Sequence, residues 1–162
     1  MARRLVSRLA VILALPTVAG TFQLLAADCR QVQGTIVENQ LPALSCLSSP
    51  VLTCTTAIIS GSVSGSGLFN AFTLIPAPDL KLPLVFFATG RVVVNNVQFE
   101  ARRGSLTLAT AAVIGNGNIV DNEKIVDGTG DFAGATGSIR ISGPFVPNVG
   151  GTSTYEGTIC FP

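Results

Sequence analysis

The chain has 162 residues, of which 48% are hydrophobic, 12% charged and 6% aromatic, and it contains no histidine. The formal net charge is +1, and the basic residues beyond the N-terminal segment are scattered, so neither nucleic-acid binding nor attraction to anionic lipid is indicated. The lack of histidine excludes a Ser-His-Asp triad and a histidine-activated cysteine, and it disfavours a zinc site.

Residues 1–27 have the pattern of a secretory signal peptide. An apolar stretch, Leu9 to Gly20, is too short for a comfortable membrane span, and Leu25-Ala26-Ala27 forms a small-residue cleavage site. The positively charged start is made by three arginines: Arg3, Arg4 and Arg8. We therefore expect an extracytoplasmic product, secreted or periplasmic, with no stable membrane span after cleavage. The mature chain, residues 28–162, carries seven basic and nine acidic residues, a net charge of −2, and has the length of one domain.

The mature chain is predicted to be all-β. Alternating or β-branched runs predict eight strands: Gln31–Asn39, Thr56–Ser64, Gly67–Ile75, Leu84–Phe99, Ser105–Ile114, Asn118–Val126, Ser138–Ser142 and Thr152–Phe161. Turn or loop composition separates several of them: Gly65-Ser66-Gly67, Pro76-Ala77-Pro78, Ala101 to Gly104, Gly115 to Asn118 and Pro144 to Gly151. Eight strands at this spacing are typical of a closed antiparallel barrel or of a β-sandwich, and composition does not decide between them.

The run from Ile125 to Gly137 is the most distinctive stretch. Its glycines predict a strand, a tight turn, a short helical turn led by Asp131 and then another strand, with Phe132 filling the core. A nucleotide-binding loop is disfavoured, because such a loop opens a long helix, whereas Ser138–Ser142 alternates like a strand.

The pattern G-T-G-D-F-A-G-A-T-G, Gly128 to Gly137, resembles the corner motif shared by allene oxide cyclases, dirigent proteins and their secreted bacterial barrel relatives. Tyr155 to Ile159 also resembles the closing strand of that family. The resemblance implies a closed eight-stranded antiparallel barrel around an apolar cavity, with a β-sandwich as the alternative. It also implies that Gly128, Gly130, Phe132 and Gly137 have a structural role in the barrel wall.

The four cysteines of an exported chain are expected to form two disulfides. Three connectivities are possible. Given a barrel, closure places the first and last strands side by side, which favours Cys29–Cys160 and, across a Ser/Pro loop, Cys46–Cys54.

Candidate catalytic groups are few. Glu38 and Glu100 lie near strand ends, and Glu156 shares a face with Thr154 and Thr158, so an exposed charge is the ordinary interpretation of all three. Tyr155 shares its face with apolar residues, where its ordinary role is a packed ring whose hydroxyl bonds to backbone. None of these residues matches a catalytic position of the family closely enough to inherit its role.

The functional hypothesis is a secreted barrel that binds a small hydrophobic molecule in its central cavity, with a cofactor-free cyclase or isomerase as its catalytic form. The alternative is a non-catalytic carrier, or a structural or interaction barrel of the cell envelope. No metal, organic cofactor or nucleic-acid partner is expected. The sequence does not identify the ligand, and it does not decide whether the protein is catalytic or forms a homo-oligomer.

Overall fold

The chain folds into a closed barrel of eight antiparallel strands. A computed structural model describes residues 28–42, 46, 53–77, 82–98 and 100–162. The strands follow one another around the barrel in chain order: β1 Asp28–Leu41, β2 Thr53–Gly61, β3 Val63–Ala77, β4 Leu82–Val97, β5 Glu100–Gly115, β6 Asn118–Gly130, β7 Thr136–Val146 and β8 Gly150–Phe161. The described residues include no helix, and so none that could cross a membrane. The barrel prediction and the number of strands are confirmed, and the β-sandwich alternative is wrong. The predicted signal peptide lies outside the described residues.

Closure is made by β1 and β8, which pair from Asp28 with Phe161 to Asn39 with Gly150. Cys29 lies directly opposite Cys160 in this register, and the two form a disulfide. A second disulfide joins Cys46 to Cys54 at the start of β2. Both predicted pairings are confirmed. The Cys29–Cys160 bond ties the first strand to the last, at what we call the disulfide end of the barrel.

Two of the predicted turns are wrong. The connection between β2 and β3 is Ser62, and Gly65 to Gly67 lies inside β3. A side chain at Gly67 would meet the ring of Phe69, so this glycine provides room for an aromatic residue within the barrel. Likewise, Ala101 to Gly104 belongs to β5, and the turn before it includes Gln98. The glycines in these two segments therefore allow close packing within the barrel and do not form chain reversals.

The predicted hairpin at Gly115 to Asn118 is confirmed, since Asn116 and Gly117 both have positive φ, of 51° and 75°. This is the conformation that a two-residue hairpin turn requires.

The glycine corner connects β6 to β7 at the disulfide end. Phe132 is completely buried there, with its ring centroid 5.9 Å from that of Phe161. The segment 131–134 is a hydrogen-bonded turn and not the helical turn that was predicted. Asp131 does not cap it: the Asp131 carboxylate instead accepts a 2.8 Å hydrogen bond from the backbone N–H of Arg103 on β5. The corner thereby fastens β5 to the loop that follows β6.

The interior contains two separate apolar clusters. The larger one fills the disulfide end and the middle of the barrel, and includes Val32, Leu106, Phe132 and Ile159. The smaller one lies toward the opposite end, and consists of Ala112, Ile114, Ile119 and Phe145, with Phe86 packed against it. On β1, β5, β6 and β8, the inward positions between these clusters are polar.

Candidate functional site

A belt of buried polar side chains separates the two apolar clusters. It consists of Glu38 on β1, Thr110 on β5, Asp121 and Glu123 on β6, and Ser153 on β8, and we call it the polar belt. Each of these residues has at most 8% of its surface exposed. Strand alternation explains the arrangement, because an inward position recurs every second residue. Glu38 therefore follows the inward Ile36 on β1, and Asp121 and Glu123 lie between the inward Ile119 and Ile125 on β6.

None of the five side chains in the polar belt is fully satisfied. One oxygen of each is buried without a hydrogen-bond partner: Glu38 Oε2, Thr110 Oγ1, Asp121 Oδ1, Glu123 Oε1 and Ser153 Oγ. Folded proteins rarely leave buried polar atoms unpaired, and each such atom costs about 1–3 kcal/mol. The belt therefore has hydrogen-bonding capacity that the side chains and backbone around it do not use.

The environment shifts the ionisation of all three belt carboxyls in the same direction. Burial raises the pKa of Glu38 from 4.5 to about 7. Burial, and then the neighbouring Glu38 charge, raises the pKa of Asp121 from 3.8 to about 8. Glu123 has a pKa well above its ordinary value because it is buried and because Asp121 and Glu38 lie near it. The nearby Thr110 hydroxyl has a smaller, opposite effect and lowers the pKa of Glu123, although its oxygen makes no hydrogen bond of ordinary geometry. The belt consequently retains protons near neutral pH.

The barrel contains two small cavities, and the belt residue Glu123 lines one of them. The inner cavity is lined by Glu123 and by eleven other residues: Ile36, Ile59, Val63, Phe69, Val92, Leu106, Leu108, Ile139, Ile141, Tyr155 and Ile159. It offers about 30 Å³ to the centre of a water-sized sphere, which is enough for about two water molecules. The outer cavity, toward Phe145 and Pro147, offers about 50 Å³. Both are far below the roughly 300–1,000 Å³ of ordinary small-molecule pockets.

Phe69 lines both cavities. It lies on β3, across the barrel from β7. Its ring rests against Gly67 and Gly90, where no Cβ is present to obstruct it. The ring is therefore part of the wall that divides the interior into two chambers.

The four sequence-based candidates lie at three different places. Glu38 belongs to the polar belt. Tyr155 also faces the interior, but its hydroxyl accepts a 2.9 Å hydrogen bond from the Val63 N–H and donates a 3.1 Å bond to the Val63 carbonyl. Glu100 is exposed at the disulfide end, with ion pairs of 2.7 Å to Arg30 and 3.5 Å to Arg102. Glu156 is exposed on the outer wall. The barrel thus brings Glu38 and Tyr155 into one interior and leaves Glu100 and Glu156 outside it.

Asp121 and Glu123 were not among the sequence-based candidates, although both lie in a predicted strand. Hydrophobic alternation does not orient that strand, because Ile119 and Ile125 bracket one face while the other face also ends in valines. Charge does not orient the strand either, because Lys124 lies on one face and the two acids on the other, and all three side chains are rarely buried without a partner. In the structure Lys124 is exposed and both acids are buried.

The arrangement of these groups limits what they can bind. Among the described residues, no three Asp, Glu or Cys side chains converge closely enough to hold a metal ion. The carboxyls are instead spread around the lumen beside an apolar cavity. They are suited to hydrogen bonding or proton exchange with a small molecule.

No family model matches the sequence, and no curated protein matches it. Among solved structures, the chain is similar to a protein of unknown function of the DUF3224 family from Shewanella oneidensis MR-1. The TM-score is 0.55 and the identity 16%, over 83% of this chain and 99% of that one. At this identity the likeness shows the fold alone. These comparisons give no specific support to the resemblance to allene oxide cyclases and dirigent proteins, which stays a hypothesis. What is established is a disulfide-bonded eight-stranded β-barrel with a distant structural neighbour.

Proposed function

We propose that this protein binds a small, largely apolar molecule inside the barrel, with the polar belt as the polar anchor. The observation that carries the proposal is Glu123, a carboxyl with 3% of its surface exposed, which lines an apolar cavity and has an oxygen without a partner. Ligand pockets commonly combine apolar walls with a few polar groups that fix orientation. Export to an oxidising compartment, as expected from the N-terminal segment, agrees with the two disulfides.

The catalytic form of this proposal is a cofactor-independent isomerase or cyclase. Such an enzyme needs an acid or base that exchanges its proton near the working pH, in a site from which water is largely excluded. Glu38, with a pKa of about 7, and the neighbouring Asp121, with a pKa of about 8, meet the first requirement. The apolar walls of the inner cavity meet the second.

The small size of the cavities favours a second candidate, a structural or interaction barrel whose own side chains fill it. The two candidate functions predict different ligand binding by the wild type and by Phe69→Ala. Removing the ring joins the inner and outer cavities, and an apolar cavity of about 150 Å³ in another protein suffices to bind benzene. Phe72→Ala is a matched control, since Phe72 is on the same strand but 51% exposed.

The test is the thermal stability of the purified protein and of both variants with terpenoid, polyketide and fatty-acid-derived compounds, and with benzene. Ligand binding predicts that the wild type is stabilised by at least one compound and that Phe69→Ala accepts larger ones, while Phe72→Ala behaves as wild type. If no compound stabilises the wild type, the structural candidate is correct, even where the enlarged cavity of Phe69→Ala takes up benzene.

A further inference from the structure

One polar group would be enough to anchor an apolar ligand, yet the belt contains three carboxyls. Inside the barrel they have no counter-charge. Arg30 and Arg102 are engaged with Glu100 at the disulfide end. The remaining basic residues that the structure describes are exposed on the outside: Arg91, Arg103, Lys124 and Arg140. Within the described part of the chain, the lumen therefore has an excess of negative charge whenever a belt carboxyl is ionised.

The neighbouring hydroxyl groups do not supply the missing counter-charge. Thr110 Oγ1 and Ser153 Oγ are themselves buried and unpartnered. The unsatisfied atoms lie on β1, β5, β6 and β8, on one side of the lumen, and Glu123 among them lines the apolar inner cavity. An ammonium group has a positive charge and three N–H donors, and a single carboxylate such as Glu123 is enough to hold it. A metal ion requires at least three converging ligands, and no three described acidic residues converge in this way.

We propose that the ligand of this barrel has a positively charged amine on a small apolar body, with the ammonium in the polar belt and the body in the inner cavity. This inference rests on the proposed function, because it requires the lumen to be a binding site. The walls of the inner cavity other than Glu123 consist of aliphatic residues, two aromatic rings and no further charged side chain. Because the inner cavity has room for about two water-sized groups, the expected ligand class is a short alkylamine with about two carbons.

The pH dependence of binding follows from the groups that face the lumen. Ionisable side chains come from β1 (Glu38), β6 (Asp121 and Glu123) and β8 (Tyr155). The described inward residues of the other five strands include no charged group. Because the belt carboxyls hold protons near neutral pH and an ammonium binds to carboxylates, amine affinity should increase from pH 5.5 to pH 8.5, and binding should release protons.

The test compares ethylamine with ethanol, which has the same carbon skeleton and no charge, by titration calorimetry at pH 5.5 and 8.5. The wild type and Phe69→Ala, whose lumen is larger, are measured in parallel. We expect the amine to bind about ten- to a hundredfold more tightly than the alcohol at pH 8.5, the range expected for hydrogen bonds to charged groups. At pH 5.5 this preference should be much smaller.

Glu123→Gln keeps the shape of the side chain and removes its charge, and it should abolish most of the amine preference. Glu156→Gln, on the exposed outer wall of β8, is the control and should keep it. Amine binding that is unchanged in Glu123→Gln would place the amine elsewhere and overturn the inference. Equal binding of alcohol and amine at both pH values would also overturn it, but would leave the proposed function intact. No binding of either compound to the wild type or to Phe69→Ala would contradict both.

Discussion

The polar belt predicts that this protein becomes less stable as the pH rises from 5 to 8.5. A carboxyl whose pKa is raised in the folded state binds a proton more tightly there than in the unfolded chain. Its stabilising effect is therefore complete below the unfolded pKa, near 4.5, and is lost as the pH rises through the folded pKa. This direction is opposite to that of a carboxylate held in an ion pair.

The magnitude follows from Glu38 alone. A pKa of about 7 in place of 4.5 corresponds to about 3 kcal/mol at alkaline pH. About 2.5 kcal/mol of this is lost between pH 5 and 8.5, which lowers the melting temperature of a domain of this size by about 10 °C. Asp121 and Glu123 shift in the same direction and increase the effect.

The assay is denaturant unfolding followed by far-ultraviolet circular dichroism at half-unit pH steps, on the oxidised protein. Glu38→Gln should flatten the pH dependence and raise stability at pH 8.5, because the amide does not ionise. Glu156→Gln, which changes an exposed carboxylate on the outer wall, should leave the slope unchanged. Stability that is constant or increases between pH 5 and 8.5 in the wild type would refute the reasoning, since it would mean that the belt carboxyls are not destabilised by burial.

Three further predictions concern the barrel itself. Phe132→Ala should cost about 3–5 kcal/mol in unfolding free energy, because the ring is completely buried; an unchanged denaturation midpoint would show that the corner is not structural. Tyr155→Phe should cost about 1–3 kcal/mol, since it leaves the buried Val63 N–H without its partner, and a neutral effect in the same assay would contradict that role. Replacing both Cys29 and Cys160 by serine should lower the unfolding free energy by up to about 5 kcal/mol, the chain-entropy value for a loop of this length. Peptide mapping of the non-reduced wild-type protein should recover a peptide that contains the Cys29–Cys160 bond. A digest in which Cys29 is joined to Cys46 or Cys54 would contradict the structure.

The sequence by itself determined the strand content, the number of strands and the expectation of two disulfides. These follow from local rules: a side-chain period of two, an even set of cysteines, and a hairpin such as Asn116-Gly117 that needs positive φ. The choice of Cys29–Cys160 among the three possible pairings required a closed barrel, which places the first and last strands side by side. The sequence predicted the positions of the turns less accurately than the number of strands. Gly67 and Gly90 are glycines because the ring of Phe69 lies over them, and the partner that explains a glycine of this kind is distant in sequence.

The tertiary structure decided the candidate site. Glu38 is more than eighty residues from Asp121 and Glu123 in the sequence, and β7 and β8 lie between β1 and β6 around the barrel. Each acid alone is an ordinary strand residue, for which an exposed position is the usual expectation. Their common environment arises because closure turns one face of every strand inward, so residues that are not paired across any two strands share one enclosed volume. Enclosure removes water and raises their pKa values, and neither effect can be read from the spacing of acids along the chain.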